Sequence, residues 1–147
     1  AAHLRQPGAH ERADRLAAHT EQLAATREDE AFDVALGSAC VDLAVGRHVG
    51  RVKETYSVRG AVRLLFGKDL RRVNALIGVG GVFAYGPDPA DVLRAGLARD
   101  DVPDALRPEA PELFLDSAYV LYAVGLLAKR EPTAALRLLK RTLTRQG

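Results

Sequence analysis

The chain has 147 residues, and 21 Lys and Arg against 19 Asp and Glu give it a formal net charge of +2 with histidine neutral. Its 48% hydrophobic and 27% charged residues are typical of one globular domain and exclude a disordered chain. The small net charge excludes a strongly basic nucleic-acid-binding protein. A single cysteine, Cys40, excludes an intramolecular disulfide and a multi-cysteine zinc site.

The sequence shows no targeting or membrane segment. The N-terminal residues lack the apolar region of a signal peptide. The longest apolar run, residues 118–128, is shorter than the roughly 20 residues that a membrane-spanning helix needs. We therefore expect a cytoplasmic protein without a membrane contact. Because methionine is absent, the chain is either processed or a fragment, and we favour a fragment of a longer protein.

The first third of the sequence is predicted to be helical after a flexible start at residues 1–9. Residues 10–26 are alanine-rich with the spacing of an amphipathic helix. Residues 32–44 place apolar side chains in one helical stripe, and Gly50 is the expected stop. Cys40 lies on this stripe, so we expect it to be a buried small side chain and not a nucleophile.

Strands and helices alternate after Gly50. The predicted strands are residues 51–58, 62–66, 73–79 (expected to be buried) and 112–116. The predicted helices are one capped by Asp88 with Pro89 in its first turn, one over residues 117–130 and one over 133–144, and a polar loop covers 100–111. This order predicts an α/β protein in which several helices pack on a small sheet.

Glycines cluster after the strand predicted over residues 73–79. Gly78, Gly80 and Gly81 would let a ligand approach the backbone closely. The pattern is not a dinucleotide fingerprint, because Phe83 stands where the last glycine should be. The residues alone leave two interpretations open, a ligand-binding turn and a tight strand-to-helix turn without a ligand.

Lys68 and Asp69 form a charged pair in a glycine-flanked loop before that strand. They are not part of a Walker A motif, because Asp69 stands where serine or threonine is required. The pair either holds the loop, contacts a nucleotide or is simply solvated.

No catalytic or metal-ligating residues can be named from the sequence. The three serines lack a G-x-S-x-G context, and the three N-terminal histidines lack a metal-binding spacing. His48 is expected at a helix end, where a histidine near the C-terminus interacts favourably with the helix dipole. The cationic residues near the C-terminus are not interleaved with aromatic residues, so no nucleic-acid partner is expected.

Three segments of the chain resemble one family. In chain order they are residues 44–51, residues 66–82 (with the sequence FGKDL and then LIGVGGV) and residues 115–127. They are similar to the C-terminal part of the MutL-type proteins encoded beside adenosylcobalamin-dependent glutamate mutase, which are unrelated to the mismatch-repair protein of the same name. The resemblance covers roughly residues 30–140.

That family resembles the superfamily of actin, Hsp70 and the sugar kinases, which bind ATP between two ribonuclease-H-like lobes. The resemblance implies that residues 30–147 are a C-terminal actin-like ATPase lobe and that residues 1–29 are a helical N-terminal segment. It implies that Gly78, Gly80 and Gly81 match the adenosine motif, with Val82 and Phe83 close to the base. Val82 stands where many relatives carry a small or hydroxyl residue.

The resemblance also implies a function. The longer parent would bind ATP or ADP with Mg²⁺ and act as a chaperone or reactivating protein for the subunits of a cobalamin-dependent mutase. This chain alone would bind no cofactor and hydrolyse no ATP, because it lacks the first lobe. Two alternatives are a docking scaffold for the mutase that binds no nucleotide and a lobe of a small-molecule kinase.

Overall fold

The computed structural model describes residues 8–58 and 60–147. The flexible start expected for residues 1–9 falls largely on residues 1–7, which lie outside the described residues. The helices are α1 (Ala9–Ala18), α2 (Arg27–His48), α3 (Gly81–Tyr85), α4 (Pro89–Arg94), α5 (Leu121–Leu127) and α6 (Pro132–Thr142). The strands are β1 (Arg51–Ser57), β2 (Gly60–Phe66), β3 (Ala75–Gly78), β4 (Glu112–Asp116) and β5 (Leu143–Gln146).

The strands form two separate sheets. β1 and β2 are an antiparallel hairpin, and β4 is the central strand of a three-stranded sheet. β3 lies parallel to β4 with Gly78 opposite Leu115, and β5 lies antiparallel to β4 on its other side. The α/β class and the alternation of strands with helices are therefore confirmed.

One face of the β3–β4 pair carries the hydrophobic core. The buried cluster packs this face against α3 and α4 and consists of Phe83, Val92, Leu93, Leu113 and Leu115. The strand predicted over residues 73–79 is present as β3, but the expectation that it is buried was wrong, because only one face of β3 is covered. Ile77 points to the other face and is 40% exposed, as the alternation of side chains along a strand requires.

Local capping explains where two helices differ from their predicted bounds. The helix predicted over 10–26 ends at Ala18, where His19 leaves the helical conformation, and Thr26 already caps the next helix. The Asp29 N–H donates to Thr26 Oγ1 (3.1 Å) and the Thr26 N–H donates to Asp29 Oδ2 (3.0 Å), a capping box that starts α2. The helix predicted over 117–130 begins at Leu121, because the Asp116 carboxylate accepts hydrogen bonds from the backbone N–H groups of residues 120 and 121.

Strand pairing shortens the last helix. The prediction of a helix to Thr144 was wrong, because α6 ends at Thr142 and the following residues pair with β4. Arg145 lies in β5, and its Nη2 atom is 2.7 Å from Oε1 of Glu112. Within residues 8–58 and 60–147, no helix combines the length and apolar character needed to cross a membrane.

A buried ion pair fixes α2 against the loop before β4. Arg107 Nη2 donates to Asp42 Oδ1 (2.6 Å) and to the Asp42 carbonyl oxygen (2.9 Å), and Arg107 Nη1 donates to the Ala95 carbonyl (3.2 Å). Arg99 Nη1 lies 3.1 Å from Asp42 Oδ2. Burial raises the pKa of the Asp42 carboxyl, but the hydrogen bonds from Arg107 and Arg99 outweigh it and leave this pKa below its usual range.

The buried face of α2 overlaps the predicted stripe only in part. The buried positions of the helix are Phe32, Ser38, Ala39 and Asp42; Phe32 and Ala39 belong to the stripe, whereas Cys40 on its other side does not face the core. The expectation that Cys40 is buried was therefore wrong, because its side chain is exposed. The loop predicted to be polar over residues 100–111 is likewise buried in part, at Leu106, Arg107 and Pro108.

We expect Asp42→Ala to lower the free energy of unfolding by about 3–5 kcal/mol, because it leaves the buried Arg107 charge without its carboxylate. The control is Asp91→Ala, which removes an exposed ion pair with Arg94 and should cost at most about 1 kcal/mol. Urea denaturation followed by circular dichroism measures both values. Equal losses in the two variants would contradict a structural role for the buried pair.

Candidate functional site

The chain turns sharply between β3 and α3. Gly78 ends the strand, and Gly80 precedes the helix with φ 122° and ψ 171°, a conformation that favours glycine. The Gly80 carbonyl accepts hydrogen bonds from the N–H groups of Phe83 and Ala84, both at 3.0 Å. The strand-to-helix turn expected from the glycine cluster is thus present.

Gly80 and Gly81 form an open surface at this turn, which we call the glycine ledge. A Cβ atom added at either position would meet no heavy atom within 4 Å. A Cβ on Gly78 would instead lie 2.6 Å from Cδ1 of Phe83. Gly78 is therefore needed for core packing, whereas the ledge is free to accept a flat or bulky ligand.

The two residues after the ledge face inward. Phe83 is 9% exposed and belongs to the core cluster. Val82 packs beside that cluster, and its Cγ2 atom would lie 3.1 Å from a Cβ atom on Gly37 of α2. The resemblance implied that both side chains lie close to a base. In the structure both pack into or against the core on the inner side of the ledge.

The loop after β4 reaches the same edge of the sheet. Because β3 and β4 are parallel, their carboxyl ends lie together, where open α/β sheets bind ligands. The Asp116 side chain is fully buried and accepts hydrogen bonds from the N–H groups of Val120 (3.1 Å) and Leu121 (2.7 Å). These bonds fix the turn that carries Tyr119.

Three tyrosines meet beside the ledge, and we call them the tyrosine cluster. The Tyr119 ring centroid lies 6.3 Å from that of Tyr85 and 5.9 Å from that of Tyr122, both in edge-on geometry. None of the three was among the site residues predicted from the sequence. No local pattern could have revealed the cluster, because Tyr85 ends α3, Tyr119 and Tyr122 follow β4, and only strand pairing brings these two parts of the chain together.

Lys68 and Asp69 lie just after the β1–β2 hairpin, and each contacts a neighbouring side chain. Lys68 Nζ lies 3.3 Å from Nε2 of His48, the last residue of α2. Asp69 accepts from the Arg71 backbone N–H (3.1 Å), Nε (3.0 Å) and Nη2 (2.7 Å). The hydrogen bonds from Arg71 lower the pKa of Asp69 to about 2. Of the interpretations left open for this pair, its contacts favour a role in holding the loop.

Two further features complete the chemistry of the surface. Among residues 8–58 and 60–147, no group of three or more His, Cys, Asp or Glu side chains is placed to hold a metal ion. An open depression of about 500 Å³ is lined by residues 110–113 and 145–147. It lies at the start of β4, whereas the ledge follows the end of the parallel strand β3 at the opposite edge of the sheet. It is therefore not part of the candidate site.

We expect Arg71→Ala to raise the pKa of Asp69 from about 2 towards the ordinary 3.8. NMR titration of the Asp69 carboxyl carbon measures it. Because the pKa of Asp69 is lower in the folded state than in the unfolded state, its ionised carboxylate stabilises the fold at pH values above the unfolded pKa near 3.8. This stabilisation is lost as the pH falls towards about 2. An unchanged titration in the variant would contradict the assigned cause. Arg137→Ala, on α6 and not among the causes of this shift, serves as the control.

Comparisons with known proteins agree with the resemblance described above. The family model described as MutL protein matches residues 1–143. Protein MutL from Clostridium tetanomorphum is 37% identical over 131 residues, which cover 88% of this chain and 28% of that relative. The chain thus spans little more than a quarter of the relative's length. No solved structure matches the chain. The chain belongs to the MutL protein family.

Proposed function

We propose that this chain is the nucleoside-binding lobe of an actin-like, ribonuclease-H-like ATPase, and that the glycine ledge contacts the adenosine of ATP or ADP. In this proposal the parent protein is a chaperone or reactivating factor for an adenosylcobalamin-dependent mutase, the system that the family resemblance names. The observation that carries it is the open ledge at the carboxyl edge of two parallel strands.

The geometry of the ledge suits a nucleoside. Gly80 and Gly81 leave the backbone uncovered, so a ribose or base can approach it without meeting a side chain. Phe83 and Val82 fill the space beneath with core packing, which holds the ledge rigid. Val82 does not obstruct the ledge despite its size, because its side chain packs towards Gly37 of α2.

Phosphate binding and hydrolysis are assigned in this proposal to other parts of the parent. The described residues hold no cluster of metal-ligating side chains for Mg²⁺. The curated relative is more than three times as long as the matched segment, which leaves ample chain for a first lobe. We therefore expect this chain alone to hydrolyse no ATP. Movement of the two lobes about bound nucleotide would open or close a contact with the mutase.

A second candidate function, a docking scaffold without nucleotide, is favoured by the hairpin. An isolated two-stranded hairpin is marginally stable in water, yet most of β1 and all of β2 are exposed. Its large exposed apolar side chains are Tyr56, Val58, Val62, Leu64, Leu65 and Phe66. Such a surface is typical of a site covered by another polypeptide, here a mutase subunit or the first lobe.

We expect Gly81→Val in the full natural polypeptide to weaken ADP binding at least about tenfold, since a bulky side chain would fill the ledge. Gly81 is the better target because Gly80 has a positive φ, where valine would also strain the backbone. Ala44→Val, at an exposed position of α2, is the matched control and should bind ADP normally. Isothermal titration calorimetry measures the affinities.

Two outcomes would count against the proposal. Unaltered ADP affinity in Gly81→Val would remove the ledge from the site. Absence of ADP and ATP binding by the wild-type polypeptide would favour the scaffold, and retained binding to the mutase would then establish it.

A further inference from the structure

The tyrosine cluster exposes an unusual amount of aromatic surface at one place. Tyr85 is 76% exposed, Tyr122 67% and Tyr119 40%. Tyrosine normally buries its ring and leaves only the hydroxyl in contact with water. The Tyr119 ring contacts the other two, and the three rings still face solvent, so they form a surface available for a planar partner.

The cluster is held in place by a strained turn. Tyr119 has φ 52°, the one positive φ at a non-glycine position among the described residues. Its N–H donates to the Asp116 carbonyl (3.0 Å), and the buried Asp116 carboxylate binds the next two N–H groups. A left-handed conformation is unfavourable for tyrosine, and asparagine or glycine would adopt it more readily. Such strain is found where function requires the geometry.

The cluster lies next to the glycine ledge. Tyr85 ends the short helix that Gly81 begins, so the two residues are one helical turn apart, about 6 Å along the axis. Tyr119 follows β4 and touches Tyr85, so the cluster joins the loops after both parallel strands. A nucleoside with its ribose on the ledge has its base within reach of these rings.

We infer that the tyrosine cluster stacks the purine base of the adenine nucleotide. This inference rests on the proposed function and adds to it the residues that recognise the base. Aromatic side chains bind bases through their π-faces, and a purine offers a larger face than a pyrimidine. The exposed rings at the carboxyl edge of parallel strands therefore favour ADP over a nucleotide with the same ribose and diphosphate but a smaller base.

The experiment compares ADP with UDP, because the two differ only in the base. With the full natural polypeptide, calorimetry should show tighter binding of ADP than of UDP. Tyr85→Ala and Tyr119→Asn should each weaken ADP binding by about 5- to 150-fold, the range that stacking on one aromatic side chain supplies, and should bring it close to UDP binding. Tyr85→Phe keeps the ring and should keep the affinity.

Stability separates a binding role from a structural one. Tyr119→Asn relieves the left-handed strain, so its melting temperature should equal or exceed that of the wild type while ADP affinity falls. Leu23→Ala, a change at an exposed apolar side chain between α1 and α2, should alter neither value. A fall in melting temperature together with unchanged ADP affinity would show that Tyr119 serves only the fold.

The results also separate this inference from the proposed function. If Gly81→Val loses ADP binding and both tyrosine variants retain it, the nucleotide site stands and base stacking on the cluster is overturned. Equal affinities for ADP and UDP in the wild type overturn stacking in the same way. If the wild-type polypeptide binds neither nucleotide, both the proposed function and this inference are overturned.

Discussion

Four residues of β3 pair in parallel with four residues of β4, and this pairing places the two following chain reversals at one edge of the sheet. Parallel strands require a long connection between them, which here consists of α3, α4 and the loop before β4. The connection covers one face of the sheet with the core cluster. The glycine ledge, the buried Asp116 and the tyrosine cluster all lie together as a consequence of this pairing.

The connection is held in turn by polar groups that are taken out of water. The Arg107 guanidinium joins α2, through Asp42, to the end of α4, through the Ala95 carbonyl. Around it, the Leu106 N–H donates to Gly50 O (2.9 Å) and the Ala98 N–H donates to Pro108 O (2.8 Å). The hydrogen bonds that these buried groups make specify one arrangement of the backbone, although Nε of Arg107 has no hydrogen-bond partner among the described residues. The loop between α4 and β4 is therefore held to α2, to the end of α4 and to Gly50 by defined hydrogen bonds.

Local chemistry made part of this structure predictable from the sequence. The apolar stripe over residues 32–44 predicted α2. The apolar run over residues 73–79 and the glycines after it predicted β3 and the turn that follows. The positions that were wrong depend on partners distant in the sequence. Cys40 is exposed, whereas Asp42 two residues later is buried with Arg107, which lies far along the chain. Residues 143–146 leave the helix because β4 offers them a pairing edge. The tyrosine cluster depends on the same kind of distant pairing.

The two surfaces proposed for ligand and partner share one element, α2. Val82 beneath the ledge packs against Gly37 in the middle of this helix, and the chain passes from its end at His48 into the exposed hairpin at Arg51. A helix transmits displacement along its length because its backbone hydrogen bonds are internal. If nucleotide and mutase both bind, linkage requires that ADP changes mutase affinity by the same factor as the mutase changes ADP affinity. The proposed chaperone cycle thus needs a nucleotide-dependent difference in the position of the hairpin, and α2 is the element that connects the hairpin to the ledge.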